Sequence, residues 1–396
     1  MTNIDHKAIG RKLGLFSFSR KVPGTAYWWP KGNTLFNLIV ADLKKELDKQ
    51  GYQDIKTPVI ISTNTLKKSG HFDNYREKLF FCGNEAELAK PRWCLKPMNC
   101  PGSIMIFKEQ VRSYRDLPLK FSEVGTVYRY EQPGEVNGLL RTRALTIDDA
   151  HIYCTEDQIK SEIILLIKFI QKTYDKYGFR DLRVELSTRP EKSIGTDRQW
   201  EKAEDGLQTT LKSEKISFKE NKGEGAFYGP KIDFHVKDSL GRNWQMGTIQ
   251  LDFSMGERLG AKYIDPDGRP QTPVIIHRAI LGSIERFIAV LLEHTAGDLP
   301  VWLVPVQAKV VPVSEKHNKY GEEVVGKLRN DGVRTELDLA NETVAKKIRL
   351  AEMEKVPYIL VVGDREEKSG KVSVRKQGSK ELKKMTLAKF VQELEK

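Results

Sequence analysis

Phe36, Ile39, Val40, Leu43 and Leu47 fall three and four residues apart, which lays one apolar stripe along a helix. Asn33 or Thr34 can cap its start, and Gly51 ends it. A second helix is signalled by Thr155 with Gln158 three residues on, a capping box, followed by Ile159, Ile163, Leu166, Ile167 and Ile170 and closed by Gly178. Between the two, an extended run through Ile55 to Ile61 is broken by Pro58, which has no N–H for a ladder and so puts the strand at an edge or an interface. Strict alternation marks further strands at Leu182, Val184 and Leu186, at Ile232, Phe234 and Val236, and from Trp244 to Phe253. Antiparallel strands with helices outside their order predict an α+β core. Past residue 298 the pattern changes. Strands over 301–313, 334–337 and 358–362 alternate with helices over 316–330 and 342–355, an order that predicts a small α/β domain with a largely parallel sheet. The expected division is 1–298 and 299–396.

Composition narrows the class. Of 396 residues, 39% are hydrophobic and 9% aromatic, which excludes a disordered chain. The longest apolar candidate, Phe287 to Leu292, falls far short of the roughly 20 residues that span a bilayer, so no membrane partner is expected. The first residues show no apolar segment of the secretory kind, and four cysteines in so long a chain do not make a disulfide framework; both suit a reducing cytoplasm. A formal net charge of +12 favours a polyanionic partner, with a generally solvated, doubly charged surface as the plainer reading.

The densest chemistry lies between Tyr128 and His151. Two extended arms flank a Pro- and Gly-bearing loop at 131–138. Strand parity puts Arg141, Arg143, Leu145, Ile147, Asp149 and His151 on one face of the returning arm, and Arg129 with Glu131 on one face of the outgoing arm. Guanidinium groups bind phosphate oxygens bidentately, so a phosphate-bearing ligand fits; an exposed hairpin laced by ion pairs fits the spacing as well. No local Cys-x-x-Cys pair exists, and a metal site would have to join distant segments such as Cys100, His151 and His277, which could equally be a buried thiol and two satisfied histidines. Arg286 opens a strongly apolar helix and must pair with an acid, Glu285 or Asp298, or face an anionic ligand.

Together these segments resemble a known family. Thr-Val-Tyr-Arg-Tyr-Glu at 126–131 is similar to motif 2 of the class II aminoacyl-tRNA synthetases, Leu-Gly-Ser-Ile-Glu-Arg-Phe at 281–287 to motif 3, and 51–61 with Pro58 to motif 1. Lys-Pro-Met-Asn-Cys-Pro-Gly at 96–102, Asp-Asp-Ala-His-Ile-Tyr-Cys at 148–154 and Ile-His-Arg-Ala-Ile-Leu-Gly-Ser at 276–283 resemble the threonyl-tRNA synthetases. The stretches at 305–307 and 356–364 continue the likeness into their anticodon-binding domain.

The resemblance implies a catalytic zinc on Cys100, His151 and His277 that binds the amino group and hydroxyl of threonine, with Asp149 accepting a threonine proton. It implies that Arg129 binds the α-phosphate of ATP and Arg286 the γ-phosphate, that Arg141 sits by the bent triphosphate, and that Glu131 meets the adenine amino group. Mg²⁺ accompanies ATP. Gln245, Thr248 and Gln250 resemble further ATP and threonine contacts, with Met98, Tyr228 and Lys231 in the threonine pocket. By parity Thr248 and Gln250 share a strand face and Gln245 does not, unless Gly247 lies at a bulge. His71 matches a histidine that assists transfer to the terminal ribose of tRNA(Thr). Asn341, Arg349, Glu366 and Arg375 match anticodon contacts, and the motif 1 likeness implies a homodimer.

Three positions depart from the family pattern: Leu145 stands where an aromatic usually stacks on adenine, Ile147 where a polar residue is common, and Ser103 where histidine is frequent. The likeness begins almost at Met1, so the family's amino-terminal extension and editing domain are not expected here. That leaves a naturally minimal enzyme or a shortened chain, with a separate protein to clear serine errors. The alternatives are a catalytically inactive tRNA-binding module and a synthetase for another amino acid such as serine or proline.

Overall fold

The computed structural model describes residues 5–394, which form two units. One comprises 18–26 and 40–294; the other joins the segment ending at Ser17, Tyr27–Ile39 and the chain from Thr295 on. The second unit thus recruits amino-terminal residues that a split at 298 would give to the first. Its own packing explains why. Gly32 carries no side chain, and a Cβ there would lie 1.8 Å from the Leu15 carbonyl oxygen, which accepts from Trp29 N at 2.9 Å. Lys31 reaches Glu354 at 3.1 Å.

Helix α1 runs over Pro30–Asp48. Pro30 opens it, since the first helical N–H has no partner to lose. The expected start after Asn33 or Thr34 is therefore several residues late, and the Thr34 hydroxyl donates to Pro30 O inside the helix rather than capping it. Leu35, Ile39, Leu43 and Leu47 are the buried stripe.

The larger unit is built on strands β1 (Gln53–Asp54), β2 (Leu119–Tyr128), β3 (Ala144–Cys154), β4 (Leu182–Ser187), β5 (Phe218–Asn221), β6 (Lys231–Lys237), β7 (Asn243–Asp252) and β8 (Val274–Ser283). They form one sheet in the order β5-β4-β6-β7-β8-β3-β2-β1, antiparallel through the middle with a parallel strand at either edge. The α+β expectation is met. The predicted strand at 55–61 is not continuous: β1 ends at Asp54, and Ile60–Ser62 joins a separate small sheet, with Pro58 in the irregular stretch between. Helix α2 (Cys100–Lys108) packs Ile104 and Phe107 against Phe121, Tyr153 and Ile275 of the sheet. Helix α3 (Ile159–Lys176) follows a 3₁₀ turn, where Gln158 Oε1 accepts from Thr155 N at 3.0 Å. Helix α4 (Ile284–Thr295) buries Phe287 to Leu292.

In the other unit, β9 (Ala308–Pro312), β10 (Thr335–Leu337), β11 (Tyr358–Val362), β12 (Val372–Lys376) and β13 (Lys383–Met385) form a sheet in the order β10-β9-β11-β12-β13. The first two pairings are parallel, as expected, and the last two antiparallel. The sheet is therefore mixed. β12 and β13 escape the pattern because Val372 and Val374 alternate over too few residues and β13 has Met385 as its one apolar residue. The strand expected over 301–313 begins only at Ala308. Helices α5 (Asn318–Asn330) and α6 (Val344–Met353) lie inside their expected ranges.

Candidate active site and metal centre

On the antiparallel pair β3 and β8, His151 and His277 are register partners, with ring centroids 4.8 Å apart. Cys100 begins α2. The three offer ligand atoms within 4.8 Å of one another, and all are buried. His277 Nε2 meets Asp252 Oδ2 at 3.1 Å, a carboxylate partner that leaves Nδ1 for a metal. His277 Nδ1 and His151 Nε2 are buried with no hydrogen-bond partner. Two orphaned imidazole nitrogens beside a thiol fit a three-ligand zinc site with open coordination better than they fit satisfied core histidines. Burial pushes the Cys100 thiol well up and the His151 imidazole well down, so without a metal both are neutral at pH 7.

Asp149 accepts from Asn99 Nδ2 at 3.1 Å; burial raises its carboxyl to about 6 while His277 and Asn99 pull the other way. The Tyr228 ring lies 4.8 Å from that of His277, and its hydroxyl donates to Gln250 Oε1. Met98, Lys231 and Gln250 line the same cleft, whose volume is about 940 Å³. His71 does not line it. The ring is fully buried, its Nδ1 2.9 Å from Ser69 Oγ and its Nε2 3.1 Å from Met98 Sδ, and burial drops its pKa to about 3.

Arg129, Arg141 and Arg286 line the same cleft. Arg129 Nε donates to Pro97 O at 3.2 Å and Arg286 Nε to Leu140 O at 2.9 Å. Burial and then the charges of Arg141 and Arg129 depress the pKa of Arg286; positive charge gathered in one cleft favours an anion. Glu285 leaves Arg286 free for that role: both its oxygens accept from Thr146 N. Glu131 Oε2 holds Lys78 Nζ at 2.7 Å and Arg141 Nε at 3.1 Å.

Strand parity missed two placements. Arg143 precedes β3 and turns from the cleft, donating from Nε to Glu131 O and lying over the Tyr130 ring. Gln245 does share the Thr248 side: the β6–β7 register steps from Phe234↔Gly247 to His235↔Gln245, so Met246 is an extra, bulged residue. Leu145 and Ile147 both line the cleft, and Ser103 bonds the Tyr153 hydroxyl at 2.8 Å. Asn99, Asp252 and Lys78 went unnoticed in the sequence, where an Asp two residues past Gln250 and a Lys in a charged turn carry no pattern.

In the smaller unit Asn341 and Arg349 are exposed. Glu366 accepts from Ser373 Oγ at 2.9 Å and from Gly363 N at 3.1 Å. Arg375 is half-buried and paired with Glu352 at 2.8 Å.

Residues 84–295 match the model of the class II tRNA synthetase core domain (G, H, P, S and T), and 307–396 that of an anticodon-binding domain. Threonine–tRNA ligase of Caldanaerobacter subterraneus subsp. tengcongensis is 47% identical over 390 residues, 98% of this chain and 60% of that one. The Acetivibrio thermocellus ligase is 49% identical over 388 residues, again covering 98% of this chain and 60% of the relative. The chain thus spans about three fifths of these relatives' length. Among solved structures, the RNA binding domain of threonyl-tRNA synthetase from Cryptosporidium parvum superposes with a TM-score of 0.94 at 39% identity, covering 99% of this chain and 98% of that one. A putative threonyl-tRNA synthetase from Aeropyrum pernix gives 0.83 at 29% identity over 99% and 95%. This chain belongs to the threonyl-tRNA synthetase family of class II aminoacyl-tRNA synthetases.

Proposed function

We propose that this chain activates L-threonine with ATP and transfers it to tRNA(Thr). The observation that carries the reading is the pair of unpartnered nitrogens, His151 Nε2 and His277 Nδ1, beside Cys100 and Asp149 at one end of an arginine-lined cleft. Cys100, His151 and His277 would hold one zinc per chain, which when bound supplies an electrophilic site for the amino and hydroxyl groups of threonine. Asp149 accepts a proton of the same groups, and Met98, Tyr228, Lys231 and Gln250 enclose the amino acid.

In the first step a threonine carboxylate oxygen forms a bond to the α-phosphorus as the α–β phosphoanhydride bond breaks and pyrophosphate leaves with Mg²⁺. Arg129 neutralises the α-phosphate, and Arg141 and Arg286 hold the leaving phosphates in line. Glu131, Gln245 and Thr248 orient the nucleotide; Arg141 is released from Glu131 when phosphate competes for it. In the second step a hydroxyl of the terminal ribose attacks the carbonyl carbon and AMP leaves. His71, neutral at pH 7, is offered as the group assisting that transfer, which requires Met98 to clear its Nε2.

We assign anticodon contacts to Asn341, Arg349, Glu366 and Arg375, and domains to 1–298 and 299–396 in function, although packing draws amino-terminal segments to the second unit. No editing step is assigned within these 396 residues, so clearing Ser-tRNA(Thr) would fall to something outside them. The exposed Val59, Ile60 and Trp93, around the motif 1 segment, support a homodimer. The four cysteines are unpaired, and among the described residues no helix is long and apolar enough to cross a membrane, which supports cytoplasmic placement.

Threonine-dependent exchange of pyrophosphate into ATP, measured together with zinc content, tests the reading. Exchange with threonine and one zinc per chain is expected. Exchange with serine or proline but not threonine, or none at all, overturns it.

A further inference from the structure

Asp233 is 2% exposed and lies behind the cleft rather than in its wall. Its carboxylate is fully engaged. Oδ1 accepts from Gln245 Nε2 at 2.7 Å and Thr248 Oγ1 at 3.0 Å; Oδ2 accepts from Ser187 Oγ at 2.9 Å and lies 2.8 Å from Lys231 Nζ. Three of these four partners line the cleft. The bulge at Met246 brings Gln245 within reach, and Gly247 beside it lets β7 approach β8 closely, because a Cβ there would sit 3.0 Å from Ile280 O.

An ionised carboxylate can only accept, and this fixes more than its immediate neighbours. Thr248 must give its one hydroxyl hydrogen to Asp233, so its oxygen can only accept from other groups. Gln250 Nε2 donates to that oxygen at 3.3 Å. With its amide nitrogen so placed, Gln250 turns its carbonyl oxygen to Tyr228, whose hydroxyl donates to it. The direction of every bond follows from the charge at the far end. Tyr228 has then spent its only hydrogen on Gln250 and can meet a ligand solely as an acceptor.

We propose that Asp233 is a positioning residue that polarises the chain Tyr228–Gln250–Thr248–Asp233, so that Tyr228 faces the amino-acid end of the cleft as a hydrogen-bond acceptor selecting an ammonium or hydroxyl hydrogen. The proposal rests on the functional reading above and deepens it. The same carboxylate anchors Gln245 and Lys231, so the nucleotide and amino-acid ends share one support.

The test is a double-mutant cycle between Asp233→Asn and Tyr228→Phe. Asn can donate where Asp cannot, which frees Thr248 and Gln250 to reverse. In the wild-type background Tyr228→Phe should raise KM for threonine about 10-fold, and in the Asp233→Asn background less than about 3-fold. Independent, multiplying effects overturn the proposal, as does an Asp233→Asn enzyme with unaltered KM for threonine. Should Asp233→Asn not fold, Thr248→Val cuts the chain at its middle, and either of the same two results with that variant overturns the proposal. Urea unfolding of the same set needs no substrate: non-additive stabilities are expected, and strict additivity refutes the chain even if wild-type protein shows no threonine-dependent exchange, a result that by itself refutes only the functional reading.

Discussion

His277 and Asp252 are joined through Nε2 and Oδ2 at 3.1 Å, and that bond determines which nitrogen of the imidazole is left for a metal. The other carboxylate oxygen of Asp252 accepts from Ser254 N and Met255 N, so the acid is itself held by the turn that follows β7. Asp252→Asn must set an amide N–H₂ either against His277 Nε2–H or against the two backbone N–H groups. It is expected to weaken zinc binding by about 10- to 100-fold, measured by competition with a chromogenic chelator. Cys100→Ala should lose zinc and threonine-dependent exchange together while ATP still binds, because the proposed metal would contact the amino acid alone. Undiminished exchange by metal-free Cys100→Ala would sink the zinc assignment.

Glu285 supplies a pH dependence of known sign. Burial raises its carboxyl from the ordinary 4.5 to about 7, against the pull of the Thr146 N–H. The folded chain therefore binds more protons than the unfolded chain between those values. Stability from this group is full below pH 4.5, falls as pH rises, and is lost above about 7, with a slope of at most ~1.4 kcal/mol per pH unit. Glu285→Gln keeps an acceptor for Thr146 and removes the titration. Its urea midpoint should vary less between pH 5 and 7 than that of the wild type; an unchanged profile would refute the shift.

Arg375 is tied to Glu352, so the anticodon role proposed for it requires that pair to open. Arg375→Ala is expected to raise KM for tRNA by about 10-fold, the worth of one bidentate base contact, and to leave threonine activation alone. An equal fall in activation would make the residue structural.

Serine presents the same amino and hydroxyl groups as threonine and lacks one methyl. Filling a methyl-sized space is worth about 1–3 kcal/mol, a preference of about 10- to 200-fold. These 396 residues are expected to form Ser-tRNA(Thr) at a measurable rate and not to hydrolyse it. Rapid deacylation of preformed Ser-tRNA(Thr) by the purified chain would reveal a hydrolytic site within them.

Val59, Ile60 and Trp93 are 43%, 54% and 46% exposed on one stretch of chain and its neighbouring strand. Covering them in a homodimer predicts a sedimentation coefficient that falls on dilution or on Ile60→Asp. A fully active monomer at all concentrations would contradict the assignment.

Local pattern located α3, β4, β6 and β7, since an apolar repeat, with a capping box for α3, needs no partner to be seen. The residues Cys100, His151, His277, Arg129 and Arg286 were legible for another reason: they sit in segments whose wording is shared with a family. What remained hidden depends on pairing. Gln245 joins Thr248 only because Met246 bulges out of the β6–β7 ladder, and a register step is a property of two strands at once. Thr34 looks like a cap until Pro30 starts the helix earlier. Asp233 and Asp252 are ordinary acids in the sequence, and their meaning comes from the donors that β4, β7 and β8 bring to them. Local repeats specify the elements because side-chain direction follows the backbone period; the polarity of the site was decided by tertiary structure, because a buried acceptor takes its role from groups remote in the chain.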